Sequence, residues 1–202
     1  MGDVSGRFAV VRSLEREGLS REAFRKVMGH FATGVTVLTA RRGATVHGMT
    51  ANAVMSVSLD PLLVLAAVDV RARMLEVLDV GQPFAVNMLA VGAEPLARRF
   101  AGQPDRPGRS RAIRFRPTGP EEAPILEEAL AAVRCQVNER VPAGDHVLVL
   151  SHVTELFATP DPLEPLIFFR GRYRRLRSVP TQAEEPVEEL LPEGLRLHYE
   201  EW

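Results

Sequence analysis

This sequence contains one cysteine, Cys135, so it has no intrachain disulfide and no zinc site built from several thiolates. It also contains one lysine, Lys26, which leaves arginine to carry nearly all of the positive charge. Lysine and arginine together number 25 against 26 acidic residues, and a net charge of -1 gives no general attraction to nucleic acid or anionic membrane. No stretch approaches the ~20 apolar residues of a membrane helix, and the N-terminal residues lack an apolar core. Neither a membrane span nor a signal peptide is expected, and the protein is expected in the cytoplasm. No Gly-x-Gly-x-x-Gly follows a strand-like run, which removes the usual dinucleotide-binding fold. There is no internal repeat.

What is present suffices for one core: 202 residues, 46% of them hydrophobic. The expected division is an N-terminal arm at 1–19, one domain at 20–177 and an acidic tail at 178–202. Ser20 reads as an N-cap with Glu22 in the first turn, followed by Phe24, Val27, Met28 and Phe31 at helical spacing, with Gly34 as the stop. His30 near that helix end reads as a surface or capping residue. The β-branched run at 35–40 predicts a strand, 41–43 a hairpin turn and 45–50 its return. The continuous apolar run at 62–68 predicts a strand buried on both faces. Short helices are expected at 72–78 and 94–100, with a strand at 84–89 between them. A hairpin is expected over 130–157 across Pro142-Ala143-Gly144-Asp145, with late strands at 166–169 and 173–176. These elements suggest a β-rich α+β fold, a closed antiparallel barrel with peripheral helices.

Residues 102–119 form a long Gly-, Pro- and Arg-rich excursion. Its Arg106, Arg109, Arg111 and Arg114 read either as phosphate ligands or as a solvated basic loop. Cys135 reads as a buried thiol, and His47 and His152 as structural strand residues. The tail, with Glu184, Glu185, Glu188, Glu189 and Glu193 broken by prolines, reads as disordered or as a docked arm. Its alternating, aromatic end at 195–202 suits docking on a partner subunit.

The chemistry concentrates at His47-Gly48-Met49-Thr50-Ala51-Asn52-Ala53-Val54-Met55-Ser56-Val57-Ser58-Leu59-Asp60-Pro61. Thr50, Asn52, Ser56 and Ser58 supply short polar side chains, while Gly48, Ala51 and Ala53 would let a ligand approach the backbone. A phosphate or a heteroaromatic ring edge needs such a surface, and a Ser/Thr-rich hairpin edge is the plain alternative.

With Phe31-Ala32-Thr33-Gly34-Val35-Thr36-Val37, Phe84-Ala85-Val86-Asn87-Met88-Leu89, Gly144-Asp145-His146 and Gly171-Arg172-Tyr173, the stretch resembles the flavin reductase-like family. The motifs match in order and approximate spacing over residues 20–177. The resemblance implies an FMN-binding split β-barrel that works as a homodimer, with the flavin in a groove at the subunit interface. It implies hydride transfer from NADH or NADPH to FMN or FAD, with reduced flavin supplied to a separate monooxygenase or halogenase. Thr50, Ala51, Asn52, Ala53, Ser56, Val57 and Ser58 would line the flavin ring edge. Ala67, with Ala66, would keep the adjoining strand low enough for the ring to lie against it. Arg71 and Arg73 fall where relatives place a small hydroxylated pair at the flavin phosphate, and Ala53 stands where relatives carry serine. Phe100 and Tyr173 would sit near the cofactor, and His146 near the nicotinamide as the catalytic candidate. No metal is expected. A flavin carrier without reductase activity and an FMN-dependent oxidase with a bound organic substrate are the competing functions.

Overall fold

Ser20 accepts a hydrogen bond from the Ala23 amide (3.0 Å) and so starts helix α1, Arg21–Met28, in the computed structural model, which describes residues 20–103, 112–119, 121–160 and 163–176. The expectations placed on the 1–19 arm, on Arg106, Arg109 and Arg111, and on the tail from 178 lie outside the described residues. The helix is shorter than its apolar spacing predicts. Gly29 caps it, and i→i+3 bonds from His30 and Phe31 tighten its end. The Gly29 carbonyl accepts from the Arg170 amide (2.8 Å), drawing the chain away into a sheet. Gly34 therefore sits in a strand, and Phe24, Val27, Met28 and Phe31 all remain exposed.

The strands are β1 (Thr33–Gly34), β2 (Thr36–Arg42), β3 (Thr45–Ala51), β4 (Val54–Leu59), β5 (Leu62–Asp69), β6 (Pro83–Leu89), β7 (Ala129–Ala143), β8 (His146–Ala158), β9 (Ile167–Phe169) and β10 (Arg172–Arg174). A 3-10 turn, Arg73–Val77, and helix α2, Glu94–Phe100, complete the set. Arg41 and Arg42 extend β2, which narrows the expected turn to Gly43 and Ala44; Gly43, at φ 57°, supplies its left-handed residue.

Seven strands pair antiparallel in the order β3-β2-β6-β7-β8-β5-β4. The two end strands are consecutive in the chain, joined only by Asn52 and Ala53. Met49 and Ala51 from one end and Val54 from the other pack on the same cluster of Leu38, Phe84, Val86, Val137 and Val149. The sheet thus wraps around its core while β3 and β4 form no ladder, which makes it a split barrel. Each fully buried Leu, Val or Phe there contributes about 1.5–3 kcal/mol by leaving water.

A second cluster joins the small sheet β1-β9-β10 to α2 through Val35, Leu89, Leu96, Ala97 and Leu166, with Phe100, Phe168 and Tyr173 packed against it. Buried polar groups pin the 121–127 segment. Asn87 donates to the Val37 carbonyl and Thr39 Oγ1 (2.9 Å each) and accepts from the Leu126 amide at 2.8 Å. Buried Arg134 pairs with Glu122 and Glu155 (2.8 and 2.9 Å) and donates to the Ala123 carbonyl.

β5 departs from its sequence-based expectation. Its inward residues Val64, Ala66 and Val68 are buried, but Leu63, Leu65 and Ala67 on the outer face are only half-buried. Their neighbours outside the barrel are Met55 of β4 and Leu148 and Leu150 of β8. A continuous apolar run here marks a second apolar face, which these strands leave open.

Candidate functional site

Thr50 and Ala51 end β3. The Ala51 side chain is buried in the barrel core, so a ligand at that position would meet only backbone. Thr50 Oγ1 donates to the Ala97 carbonyl of α2 (2.6 Å). One residue pair back, an ideal Cβ on Gly48 would lie 2.2 Å from Cε1 of Phe100. The space expected for a ligand over Gly48 is therefore filled by the Phe100 ring, and Gly48 and Thr50 together seat α2 against β3.

Asn52 and Ala53 form the exposed corner between the end strands. The Ala53 carbonyl accepts from the Ala67 amide (2.9 Å), which sets these two small residues side by side. Ser56 and Val57 are exposed on β4, and a bulge between Ser56 and Ser58 interrupts its register with β5. Ser58 Oγ is half-buried and accepts from the Asp60 amide (3.2 Å) in the turn that carries the cis Asp60–Pro61 bond. Among the described residues β4 pairs only with β5, so its outer edge presents backbone donors and acceptors to an incoming group. A flat heterocycle with an N–H and carbonyl edge suits that surface chemically.

Two residues beyond Ala67 on the outer face, Asp69 lies opposite His146 in the β5–β8 ladder. Asp69 accepts from Arg71 through Nε (3.0 Å), Nη2 (2.7 Å) and the backbone amide (2.8 Å). These bonds hold the Asp69 carboxyl well below the usual carboxylate range and raise the Arg71 guanidinium. Arg71 remains exposed, with one edge occupied and the other open. Arg73, also exposed, begins the 3-10 turn. On the next hairpin, Gly144 at φ 64° turns the chain, and Asp145 Oδ1 lies 2.8 Å from His146 Nδ1. That bond lowers the Asp145 carboxyl. The Val70 amide donates to the Asp145 carbonyl (3.1 Å), tying the two strand ends together.

Tyr173 belongs to another cluster. Its ring meets Phe168 edge-on at 5.5 Å, the Arg98 guanidinium lies 5.0 Å from its centroid, and burial pushes its phenol pKa up. The structure thus gathers Ala53, Ala67, Arg71 and His146 along β5, joins Thr50 to Phe100 through α2, and packs Tyr173 with Phe100 against the cluster that α2 shares with the small sheet. Asp69 and Arg98 were not anticipated. An acidic residue at i-2 to an arginine at a strand end is the only sequence signal for Asp69, and nothing local signals Arg98.

Other candidates are spent structurally. Arg114 pairs with Glu127 at 3.0 Å. His30 Nδ1 bonds the Lys26 carbonyl (2.9 Å), the capping role expected of it. Cys135 is buried, and its thiol is pushed up to about 12. His47 and His152 lie within β3 and β8. Among the described residues no helix is long and apolar enough to cross a membrane.

Comparison with known proteins converges on one group. The family profile described as "Flavin reductase like domain" matches residues 28–177. The reductase component of 4-hydroxyphenylacetate 3-monooxygenase from Thermus thermophilus is 39% identical over 161 residues, covering 77% of this chain and 97% of that protein. The solved structure of flavin reductase PheA2 in its native state superposes with a TM-score of 0.71 at 43% identity, over 79% of this chain and 99% of the other. The NADH:FAD oxidoreductase SgcE6 of Streptomyces globisporus, solved with NAD and FAD fragments, superposes with a TM-score of 0.69 at 34% identity, over 79% and 94% of the two chains.

Proposed function

The chain belongs to the flavin reductase-like family, and we propose that it transfers a hydride from NADH or NADPH to FMN or FAD and supplies the reduced flavin to a separate monooxygenase or halogenase. The observation that carries this reading is the open edge of β4. Small and hydroxylated residues border it, and the strand beside it leads to a cation and an imidazole at adjacent strand ends.

In this reading Asn52, Ala53, Ser56, Val57 and Ser58 receive the flavin ring edge, with Thr50 and Ala51 contributing mainly backbone. Ala53 and Ala67 leave room for a planar group because neither projects beyond Cβ. Arg71, through its open edge, and Arg73 hold the phosphate. Phe100 and Tyr173 wall the α2 side. When bound, the flavin supplies the hydride-accepting ring, and the protein's share is alignment and exclusion of water. His146 orients the nicotinamide and moves no proton, since hydride transfer needs no protein acid.

The second copy of a homodimer covers the outer sheet face. Met55 (58% exposed) and Val141 (41% exposed) flank the half-buried Leu63, Leu65, Leu148 and Leu150 there, an apolar patch that a monomer would leave in water. Residues 20–177 carry the reaction, and the cytoplasm supplies the nicotinamide.

Anaerobic addition of NADH, then NADPH, to the protein with FMN, FAD or riboflavin tests the whole reading. Catalytic bleaching of flavin absorbance is expected. Binding without bleaching would make the protein a carrier, and oxidation of an organic substrate with no second protein would make it an oxidase. A clean monomer in sedimentation that still binds FMN would refute the dimer.

A further inference from the structure

Two carboxylates flank His146, and the fold treats them differently. Asp69 faces the imidazole across the β5–β8 ladder, but Arg71 engages it by three hydrogen bonds. Asp145 keeps its Oδ1 for His146 Nδ1 at 2.8 Å. The Asp145 backbone is itself held, because its carbonyl accepts from the Val70 amide (3.1 Å) and Gly144 sets the turn before it. Arg21, the first residue of α1, adds a positive charge near Asp145. The charged groups around the His146–Asp145 pair are thus Asp69, Arg71 and Arg21, and among the described residues Asp145 alone bonds the ring.

An ionised carboxylate has no proton to give, so Nδ1 must be the donor in that bond. A neutral imidazole carries one N–H, and placing it on Nδ1 leaves Nε2 with a lone pair. A nicotinamide carboxamide offers N–H donors from its amine and an acceptor from its oxygen. An Nε2 lone pair meets the amine, and the opposite tautomer would turn an N–H toward it instead.

We propose that Asp145 is a positioning residue for hydride transfer: by accepting the Nδ1 proton of His146, it holds the ring so that Nε2 faces the carboxamide of the nicotinamide. This rests on the orienting role given to His146 above. Asp145 touches neither substrate. Its contribution is the tautomer and the ring angle, and the Asp69–Arg71 pair keeps a second carboxylate from competing for the imidazole.

The test uses the full chain with FMN and reads anaerobic reduction by NADH, FMN affinity, thermal midpoint and the imidazole tautomer by long-range 1H–15N NMR. Asp145→Ala should raise the KM for NADH about two- to tenfold, the loss of one oriented hydrogen bond. FMN affinity should stay at the wild-type value, and the thermal midpoint should fall only by the small loss of one exposed hydrogen-bonded carboxylate. Asp145→Glu, which keeps the carboxylate, should recover most of the KM. The Asp145→Ala/His146→Ala double variant should be no worse than His146→Ala, because Asp145 acts only through the ring. The wild type should show an Nδ1–H imidazole and Asp145→Ala a shift toward Nε2–H. An Nε2–H wild type, additive losses in the double variant, or a normal KM for Asp145→Ala beside an impaired His146→Ala would overturn the proposal alone. A His146→Ala variant with wild-type kinetics would instead remove the His146 reading on which it stands.

Discussion

Replacing Gly48 by alanine tests the seat of α2 directly. The added Cβ would lie 2.2 Å from Cε1, 2.5 Å from Cδ1 and 3.1 Å from Cζ of Phe100, where carbon atoms need roughly 3.5 Å or more. The ring must swing or the helix must retreat. Retreat is opposed by the Thr50 hydroxyl, whose 2.6 Å bond to the Ala97 carbonyl ties the same helix to the same strand. Overpacking of this kind costs about 1–3 kcal/mol. Removing glycine from a strand returns about 0.5–1 kcal/mol of backbone entropy. The net is a destabilisation of up to about 2.5 kcal/mol, or a fall of up to roughly 10 °C in thermal midpoint at about 2–4 °C per kcal/mol for a domain of this size. Gly34→Ala is the matched control, since nothing lies within 4 Å of its added Cβ and it too sits in a strand. Urea titration of both variants, and of Gly48→Ala combined with Phe100→Leu, gives the comparison. Gly48→Ala should be the less stable single variant, and its cost should shrink in the Phe100→Leu background. A Gly48→Ala protein as stable as Gly34→Ala would refute the close approach.

Alanine at both Arg71 and Arg73 should weaken FMN about five- to tenfold while leaving riboflavin, which has no phosphate, nearly unchanged; equal losses in a fluorescence titration would place the arginines elsewhere. Ser151 is fully buried on β8, and its hydroxyl has no hydrogen-bond partner among the described residues. Ser151→Ala should therefore raise stability by about 1 kcal/mol in urea, and a loss would mean that the hydroxyl is partnered. Asp69 and Asp145 both have depressed carboxyl pKa values in the fold. Their contribution is complete above the ordinary carboxylate value of ~4 and is lost as pH falls through it toward the folded values. Acid titration of Asp69→Asn should show a shallower stability loss below that pH than the wild type, and parallel curves would rule the pair out.

The barrel was legible because its strands alternate and its turns carry glycine where the backbone needs φ > 0. The β7–β8 hairpin, for example, follows from a long apolar alternation broken at Gly144. The helix expected at 94–100 formed there, and the short helix expected at 72–78 formed as a 3-10 turn over Arg73–Val77. Periodicity does not encode which distant group a polar side chain will meet. Thr50 has the composition of a ligand residue, yet its hydroxyl is given to a carbonyl 47 positions away. Gly48 looked open to a ligand for the same reason, because only the tertiary fold brings Phe100 onto it.

The run at 62–68 shows the same limit from the other side. Seven apolar residues in succession state that both faces of a strand are hydrophobic, and β5 satisfies one face within the barrel through Val64, Ala66 and Val68. The outer face cannot be satisfied by the chain's own described elements, since β4 and β8, the strands flanking β5, present Met55, Leu148 and Leu150 on that side rather than a cover. The residues on this face run in line: Leu63, Leu65, Ala67, then Asp69 beside His146. The strand whose outer face would meet a second copy is therefore the same strand that leads to the cation of Arg71 and faces the imidazole. A dimer formed there would close over the Ala67 end of the site. Charge at Leu65, as in Leu65→Glu, should for that reason lower dimerisation and flavin affinity together while the inward core keeps the barrel folded. Loss of the dimer with full flavin binding would separate the two, and would place the flavin on a face that one subunit completes alone.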